Sequence, residues 1–369
     1  MTTADVIVIG GGIAGISAAA TLATDRSVLV LEAEPQLGYH ATGRSAAVFI
    51  RNYGNATLRA LNAASVPMLE NPENGSTESL LSPRGELLVA TEDELQALED
   101  YVAGATGLQT LTPMQAVELV PILRPERIAG AVIEWDAQDI DVDRMLTGYT
   151  GQLKASGGQI LTGARVTGLR RDDGLWRVSV AGAEYAAPVV VNAAGAWAGS
   201  VGQMAGALPV PLQPMRRTAA ILPAPGGHDT RNWPLFASAA EQWYAKPESG
   251  KLMVSPADEE PQEAQDAWAD DMVLAEGLHR YEQTVTVPVT RVEHAWAGLR
   301  TFAPDRTPVA GFDTRADGFL WLAGQGGYGV QTAPALSRLA AALIRDEPGT
   351  LPPSVIAALR PGRFKYDPE

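Results

Sequence analysis

Three glycines near the N-terminus have a spacing that could bind a dinucleotide. Gly10, Gly12 and Gly15 follow the apolar run Val-Ile-Val-Ile and precede a stretch rich in Ala, Ile and Leu. Glu32 comes about 20 residues later, after a second apolar run. The first glycine permits a tight turn, the second lets a pyrophosphate approach a helix N-terminus, and the third lets the helix pack on the strand. Glu32 can accept hydrogen bonds from ribose hydroxyls, so the pattern predicts a strand-helix-strand unit that binds FAD or NAD.

Two features farther along the chain favour FAD over NAD. Apolar strands predicted before residue 192 lead into Ala-Ala-Gly195, which is similar to the second nucleotide-contacting strand of two-domain FAD-dependent oxidoreductases. Near the C-terminus, a strand runs through the glycine-rich residues 324–329 into a helix. A helix N-terminus beside a flavin would stabilise the negative charge that the flavin gains on reduction.

The hydrophobic pattern indicates an α/β fold, of α+β type overall, with an N-terminal βαβ unit and no internal repeat. Residues 214–305 alternate polar and apolar positions, which is typical of an antiparallel sheet. The predicted strands are residues 6–9, 27–31, 85–90, 128–135, 159–169, 175–180, 188–192 and 319–323. The predicted helices are residues 13–23, 55–69, 92–103, 112–119, 143–155, 272–282 and 332–345, with Asp141 or Asp143 as the cap of the fifth.

The composition excludes several classes of function. The 369 residues include no cysteine, so disulfides, thiolate catalysis and cysteinyl attachment of a cofactor are ruled out. The net charge of −15 argues against a nucleic-acid partner, because phosphate neutralisation needs clustered cations. No pair among the four histidines has metal-ligand spacing with a carboxylate partner, so we expect no metal site.

The N-terminal residues do not have the pattern of a targeting segment. Residues 1–5 carry an acid and no Lys or Arg, whereas a signal peptide begins with cationic residues. No segment approaches the run of about 20 apolar residues that crosses a bilayer. We therefore expect a soluble cytoplasmic protein without a transmembrane segment, and peripheral association with the inner membrane is left open.

Four motifs carry a resemblance to a known family. They are Leu-Gly-Tyr-His-Ala-Thr-Gly-Arg-Ser at residues 37–45, Leu-Leu-Ser-Pro-Arg-Gly-Glu at 80–86, Trp-Ala-Gly-Leu-Arg at 296–300 and Gly-Gln-Gly-Gly-Tyr-Gly at 324–329. With them, nearly the whole chain resembles the D-amino-acid oxidase family of flavoproteins, and within it the branch of bacterial D-arginine dehydrogenases. Glycine oxidase and sarcosine oxidase are relatives in that family.

The resemblance implies a Rossmann-like FAD-binding domain of the glutathione-reductase type, interleaved with an antiparallel-sheet substrate domain. We expect the first domain to comprise residues 1–46, 150–209 and 305–369, and the second residues 47–149 and 210–304. It also implies non-covalent FAD, with His40 in a structural role near the flavin. The implied cofactor-binding residues are Gly10, Gly12, Ile13, Ala14, Gly15, Glu32, Ala33, Thr42, Gly43, Arg44, Ser45, Ala46, Val166, Ala194, Gly195, Trp197, Arg300, Gly326, Gly327, Tyr328, Gly329 and Gln331.

The resemblance also implies how a substrate would be held. Arg217 and Arg300 would bind its carboxylate, because the planar guanidinium forms two parallel hydrogen bonds with that group. Tyr53 and Tyr244 would contact the carboxylate and the amine, and the Gly327 carbonyl would accept from the amine. Arg216, next to Arg217, would point to the opposite face of its strand and serve the structure.

Glu86 would receive a cationic substrate side chain, unless it simply faces solvent on its strand. The pocket wall departs from that of the branch: Val48 and Ile50 stand where it has a histidine and a threonine, and Leu235 and Ala237 replace other apolar residues. A more apolar pocket favours apolar side chains as well as basic ones.

The implied reaction is oxidative deamination of D-amino acids to 2-oxo acids and ammonia, by hydride transfer to flavin N5. The electron acceptor would be oxygen or a quinone-like molecule, and the amino acid the only other small-molecule partner. Two alternatives remain open: an oxidase or dehydrogenase of glycine, sarcosine or other N-substituted amino acids, and a flavin-binding sensor or interaction module without turnover.

Overall fold

The computed structural model describes residues 2–72 and 78–364. Across these residues the chain forms 22 β-strands and nine α-helices. The strands are β1 (Thr2–Thr3), β2 (Val6–Ile9), β3 (Val28–Leu31), β4 (Val48–Phe49), β5 (Leu81–Pro83), β6 (Glu86–Ala90), β7 (Leu108–Leu111), β8 (Gly130–Glu134), β9 (Gln138–Ile140), β10 (Gln159–Leu161), β11 (Val166–Asp172), β12 (Leu175–Val180), β13 (Ala183–Ala187), β14 (Val189–Asn192), β15 (Gln213–Leu222), β16 (Leu235–Ser238), β17 (Tyr244–Glu248), β18 (Lys251–Ser255), β19 (Glu260–Pro261), β20 (His294–Phe302), β21 (Val309–Phe312) and β22 (Phe319–Ala323). The helices are α1 (Ile13–Leu22), α2 (Ala56–Glu70), α3 (Leu95–Val102), α4 (Pro113–Leu119), α5 (Val142–Ala155), α6 (Ala198–Met204), α7 (Asp271–Thr284), α8 (Gly329–Arg345) and α9 (Pro353–Leu359).

A six-stranded sheet with the order β10-β3-β2-β14-β22-β21 forms the first layer. Its first five strands are parallel, and β21 runs antiparallel to β22. Every residue of β2 and β3 is buried, as expected for strands that are covered on both faces. Helices α1 and α8 pack together beside this sheet, so the predicted N-terminal βαβ unit is confirmed.

Two glycines set the geometry of the turn between β2 and α1. Gly10 has φ +112°, and a Cβ there would lie 2.3 Å from the carbonyl oxygen of Ala193. A Cβ on Gly15 would lie 2.0 Å from the carbonyl oxygen of Gly10. Helix α1 can therefore rest against the end of β2 only because residue 15 has no side chain. Thr42 completes the turn, since its hydroxyl accepts a hydrogen bond from the Ile13 N–H at 3.1 Å.

The predicted strand at residues 159–169 is wrong, because the chain turns at Gly163, which has φ +64°. The segment forms two strands instead: β10 joins the six-stranded sheet, and β11 pairs with β12. The third strand of this meander is β13, which was not predicted. The strand predicted at residues 188–192 is β14, which belongs to the six-stranded sheet and not to the meander.

The second layer is a nine-stranded sheet with the order β19-β15-β18-β17-β16-β6-β8-β7, to which β20 adds by pairing with β15. All its pairings are antiparallel except that of β16 with β6. Alternate residues face opposite sides, so Leu87 and Val89 pack with α7, while Leu88 and Ala90 pack on the other face. Glu86 shares the face of Leu88.

The strands of the six-stranded sheet come from the three segments predicted to bind FAD, and those of the nine-stranded sheet from the other two. Helix α2, from a segment assigned to the substrate domain, nevertheless packs on α8 through Leu58 and Leu61. The division into two domains stays a prediction.

Most predicted helices are present with shifted ends. Helix α8 begins at Gly329, three residues before the predicted start, and Asp141 caps α5 by accepting a hydrogen bond from the Arg144 N–H. The short helices α6 and α9 were not predicted. In the described part of the chain, no helix combines the length and the apolar character needed to span a bilayer.

Candidate active site

A cavity of about 320 Å³ lies at the carboxyl ends of the parallel strands. Gly10 follows β2, Glu32 follows β3 and Ala194 follows β14, and all three line it. Open α/β sheets bind ligands at this edge. The other wall comes from β15, β17 and β20 of the nine-stranded sheet.

Most of the predicted cofactor-binding residues line this cavity. They are Gly10, Gly12, Ile13, Ala14, Glu32, Ala33, Thr42, Arg44, Ser45, Ala46, Val166, Ala194, Gly195, Trp197, Arg300, Gly326, Gly327 and Gly329. We call the part formed by Gly10–Ala14, Glu32, Ala33 and Ala193–Trp197 the dinucleotide end.

The dinucleotide end fits a diphosphate. A Cβ on Gly12 would meet only the Thr42 hydroxyl, at 3.3 Å, and a Cβ on Gly195 would meet no atom within 4 Å. Both positions therefore leave open space beside the main chain at the N-terminus of α1. The first turn of α1 carries no acidic side chain of its own, and the positive end of the helix dipole faces the cavity.

The Glu32 carboxylate is fixed at the end of β3. Its two oxygens accept hydrogen bonds from the Gly11 N–H at 2.5 Å and the Glu34 N–H at 2.7 Å. A carboxylate has about four acceptor positions, so positions remain for the hydroxyls of a ribose. The structure thus presents an acceptor where the sequence pattern predicts one.

Four predicted cofactor residues lie outside the cavity lining: Gly15, Gly43, Tyr328 and Gln331. Gly15 serves the turn described above. The buried amide of Gln331 donates to the Asn62 Oδ1 at 2.7 Å and accepts from the Ile50 N–H at 3.3 Å. It therefore holds the loop at residues 50–53 and does not face the cavity.

The opposite end of the cavity gathers cationic and phenolic groups around Gly327. A Cβ on Gly327 would lie 3.1 Å from Arg300 Nη1 and 3.5 Å from the Tyr53 hydroxyl. Arg217 and Tyr244 line the same end, with the Arg217 guanidinium 5.9 Å from the centre of the Tyr244 ring. We call Arg217, Arg300, Tyr53, Tyr244 and Gly327 the arginine end.

The two arginines differ in their partners. Arg217 Nη2 pairs with Glu259 at 2.9 Å and Nε donates to the Asp258 carbonyl at 2.9 Å, which leaves Nη1 to contact a ligand. Among the described residues, no carboxylate forms an ion pair with Arg300. Arg216 points the other way and pairs with Asp258 and Glu260, as its alternation along β15 predicts.

The charges at this end change the pKa values of both tyrosines. Burial alone would raise the pKa of Tyr244, but the positive charges of Arg300 and Arg217 outweigh it, and the pKa is lowered. Burial raises the pKa of Tyr53. The two hydroxyls therefore differ, and Tyr53 is the one held firmly as a neutral hydrogen-bond donor.

Glu86 does not face solvent, so the alternative of a solvent-exposed side chain is excluded. It is buried and accepts a hydrogen bond from the Tyr101 hydroxyl at 2.9 Å. Burial first, and then the negative charge of Glu134, raise the pKa of Glu86 to about 8.

The predicted pocket-wall residues lie next to the cavity and not on its lining. Val48, Leu235 and Ala237 pack with Leu88 in one apolar cluster, and Tyr244 packs against it. Ile50 is buried in the loop that Gln331 holds. Because Tyr244 also lines the cavity, it joins this apolar cluster, on the face of Glu86, to the arginine end.

The sequence did not single out the segment around residue 266, which closes the dinucleotide end. Gln265 and Ala267 line the cavity, and Asp266 pairs with Arg44 at 2.5 Å. No motif marks this segment; only the positive charge of Arg44, within residues 37–45, could have suggested a distant acidic partner. His40 lines the cavity too, with Nε2 at 3.1 Å from Glu34. The described residues hold no cluster of His, Asp and Glu fit for a metal ion.

The sequence profile of the family described as FAD dependent oxidoreductase matches residues 5–343. The chain belongs to this family. It is 25% identical to glycine oxidase of Geobacillus kaustophilus over 362 residues, which cover 92% of each chain. It is 24% identical to human mitochondrial dimethylglycine dehydrogenase over 98% of its own length but only 44% of that protein, so it spans less than half of that relative.

Solved structures share the fold. The crystal structure of glycine oxidase from Geobacillus kaustophilus superposes with a TM-score of 0.85 at 22% identity, covering 99% of this chain and all of that one. L-proline dehydrogenase from P. horikoshii gives 0.84 at 22% identity, with 98% of both chains covered. As a member of this family the protein uses FAD, and the open glycines, the helix N-terminus and Glu32 at the dinucleotide end fit that cofactor.

Proposed function

We propose that this protein oxidises the Cα–N bond of D-amino acids with basic or apolar side chains and yields 2-oxo acids and ammonia. The observation that carries the proposal is Arg300, a guanidinium without an ion-pair partner among the described residues, which lies beside Gly327 at the arginine end. A cation in such a site attracts an anionic ligand group, and the fork geometry of arginine suits a carboxylate.

The chain's own groups can orient an amino acid. Arg300 and the free Nη1 of Arg217 would bind the carboxylate, and the neutral Tyr53 hydroxyl would donate to it. The Gly327 carbonyl would accept from a neutral amine. FAD, when bound, supplies the acceptor for the hydride from Cα. The imino acid product then takes up water and releases ammonia, so the two electrons leave with the hydride and no protein nucleophile is needed.

Side-chain choice would depend on the face of the nine-stranded sheet beside Tyr244. The apolar cluster of Val48, Leu235, Ala237 and Leu88 would reward an apolar side chain by about 25 cal/mol per Å² buried. Glu86, at the edge of the same face, offers a carboxylate to a basic one. The D configuration is proposed from the resemblance of residues 80–86 to the D-arginine dehydrogenase branch.

A second candidate is oxidation of glycine or an N-substituted amino acid. It is supported by the similarity of the chain to glycine oxidase and dimethylglycine dehydrogenase, whose names state such substrates. Such substrates would leave the buried Glu86 without a cation to meet, which is why we place this candidate second. A flavin-binding module without turnover is third, because it gives no role to the arginine end.

Anaerobic titration separates these candidates. We expect D-Arg and D-Leu to bleach the visible flavin absorbance of the purified holoprotein, while L-Arg does not. Bleaching by glycine, sarcosine or dimethylglycine but not by D-Arg or D-Leu would support the second candidate. If none of these five compounds bleaches the flavin, the first and the second candidate are both contradicted. Reoxidation of the bleached protein by air or by a soluble quinone then identifies the electron acceptor.

A further inference from the structure

Glu134 is a second buried carboxylate next to Glu86. It is 2% exposed and lies opposite Glu86 in the antiparallel pair of β6 and β8. Residues opposite each other in such a pair share one face of the sheet, so both side chains face the apolar cluster. Two buried carboxylates side by side are costly, and natural sequences rarely keep such a pair without a role.

Both oxygens of Glu134 hold the loop that leads to Tyr53. Oε1 accepts a hydrogen bond from the Arg51 N–H at 2.8 Å, and Oε2 accepts one from Asn52 Nδ2 at 2.6 Å. Asn52 is further fixed by Thr106, whose N–H donates to Asn52 Oδ1 at 3.0 Å. Glu134 therefore sets the position of the main chain immediately before Tyr53.

The charged and titratable groups around Glu86 come from three elements. Glu134 faces it from β8, Tyr101 from α3, and Glu241 acts from the turn between β16 and β17. Strand β16, which pairs with β6 on its other side, carries no titratable side chain. Burial, Glu134 and Glu241 favour the protonated form of Glu86, and only the Tyr101 hydrogen bond favours the ionised one.

We infer that Glu134 is a positioning residue that determines substrate specificity through Glu86 and also holds the Tyr53 loop in place, without touching the substrate. Burial raises the pKa of Glu134, but the hydrogen bonds that its oxygens accept from Arg51 and Asn52 favour its ionised form. Its negative charge disfavours ionisation of Glu86, and only ionised Glu86 offers a full charge to a cationic side chain. Its hydrogen bonds to Arg51 and Asn52 serve every substrate equally. This inference rests on the proposed function, because it concerns the choice between side chains in that reaction.

The test is the ratio of kcat/KM for D-Arg to kcat/KM for D-Leu, measured as a function of pH in the holoenzyme. The ratio cancels titrations that are common to both substrates, such as those of the flavin steps, and the separately titrated α-amine pKa values of the two substrates correct for the remaining difference. What is left reports on groups that sense the side chain. In the wild type we expect the ratio to rise with pH around pH 8, the pKa to which burial and Glu134 raise Glu86. These groups interact, so the midpoint belongs to the pair.

The variant Glu134→Gln removes the charge and keeps the side-chain length. We expect the midpoint to fall by about one pH unit, since a neighbouring like charge has an effect of that order. With a pKa of about 8, about a tenth of Glu86 is ionised at pH 7, and with about 7, about half is, so the ratio at pH 7 should rise about fivefold. A midpoint unchanged from the wild type would overturn the inference.

The variant Glu134→Asp keeps the charge and shortens the reach to the loop. We expect it to lower kcat/KM for D-Arg and D-Leu by the same factor, with the midpoint of the ratio unchanged. Wild-type kinetics for both substrates would overturn the inference even if Glu134→Gln does not fold. If neither substrate reduces the wild-type flavin, the proposed function itself is wrong, so the two failures are distinguishable.

Discussion

The two ends of the cavity are built from different parts of the chain and by different means. The dinucleotide end is mostly main chain, held by close approaches between Gly10, Gly15 and Ala193 at the ends of adjacent parallel strands. The arginine end is mostly side chains, brought from β15, β17, β20 and the loop at residues 50–53. The dinucleotide end therefore depends on glycines without side chains, and the arginine end depends on where charged side chains are placed.

The difference determines what a substitution should do at each end. A Cβ added at Gly10 or Gly15 displaces backbone, which cannot move without the sheet. A charge removed from the arginine end leaves the backbone in place and changes only what the cavity attracts. Loss of FAD and loss of turnover should therefore be separable by site.

The largest effect is expected from Gly15→Ala in α1, next to the dinucleotide end. The new methyl group would lie 2.0 Å from the Gly10 carbonyl oxygen, so α1 must move away from β2 and the open space at Gly12 is lost. We expect purified protein with little or no FAD and a lower Tm, measured by flavin absorbance per chain and by thermal unfolding. Overpacking of this kind costs about 1–3 kcal/mol or more.

Gly199→Ala is the matched control for that variant. Gly199 lies in α6, and a Cβ there would meet no atom within 4 Å. We expect normal FAD content and a Tm that is unchanged or slightly higher, since alanine favours a helix by roughly 0.5–1 kcal/mol. Equal FAD content in both glycine variants would show that the close approach at Gly15 does not shape the dinucleotide end.

The next effect belongs to the arginine end. Arg300→Met should lower kcat/KM by a factor equivalent to about 2–5 kcal/mol, because water cannot replace a charge-assisted pair with the substrate carboxylate in a buried site. FAD content should stay normal. Arg231→Met is the control, since that arginine is 76% exposed and pairs on the surface with Asp229. Near wild-type kcat/KM in the Arg300 variant would contradict the role given to Arg300.

The same contrast explains what the sequence could predict. Gly15 contacts Gly10 and Glu32 contacts Gly11 within one βαβ unit, so their spacing alone specifies these contacts, and the structure places them accordingly. Glu86 and Glu134 meet only because β6 and β8 pair in one register, and no local pattern contains that information.

A wrong expectation and an excluded alternative have the same origin. The turn at Gly163 divides an apolar segment between two sheets, and apolar character alone does not say which sheet a strand joins. A lone glutamate on a strand is usually exposed, which makes solvent exposure the alternative for Glu86, whereas its neighbours on β8 and α3 bury it. Both outcomes depend on residues far away in the chain.

A smaller effect, confined to substrate preference, is expected from Glu86→Gln. It should lower kcat/KM for D-Arg and D-Lys by a factor equivalent to about 1.5–3 kcal/mol, the range for a hydrogen bond to a charged group. The kcat/KM for D-Leu or D-Phe should stay within a few-fold of the wild-type value. The measurement is the ratio of the two substrate classes in wild type and variant. An unchanged ratio would mean that Glu86 never meets the substrate.

The smallest effect is expected at His40, which also lines the cavity. Its Nε2 lies 3.1 Å from Glu34, and its ring centre lies 4.6 Å from that of Trp197, so the imidazole already has contacts with other protein groups. We therefore expect non-covalent FAD: acid denaturation should release all the yellow colour into the supernatant. His40→Ala should raise the Kd for FAD by less than about tenfold, the worth of one ordinary hydrogen bond. Yellow colour retained on the wild-type precipitate, and absent from that of His40→Ala, would show instead that the flavin is covalently attached to His40. The cofactor would then be held by a covalent bond as well as by the shape of the dinucleotide end.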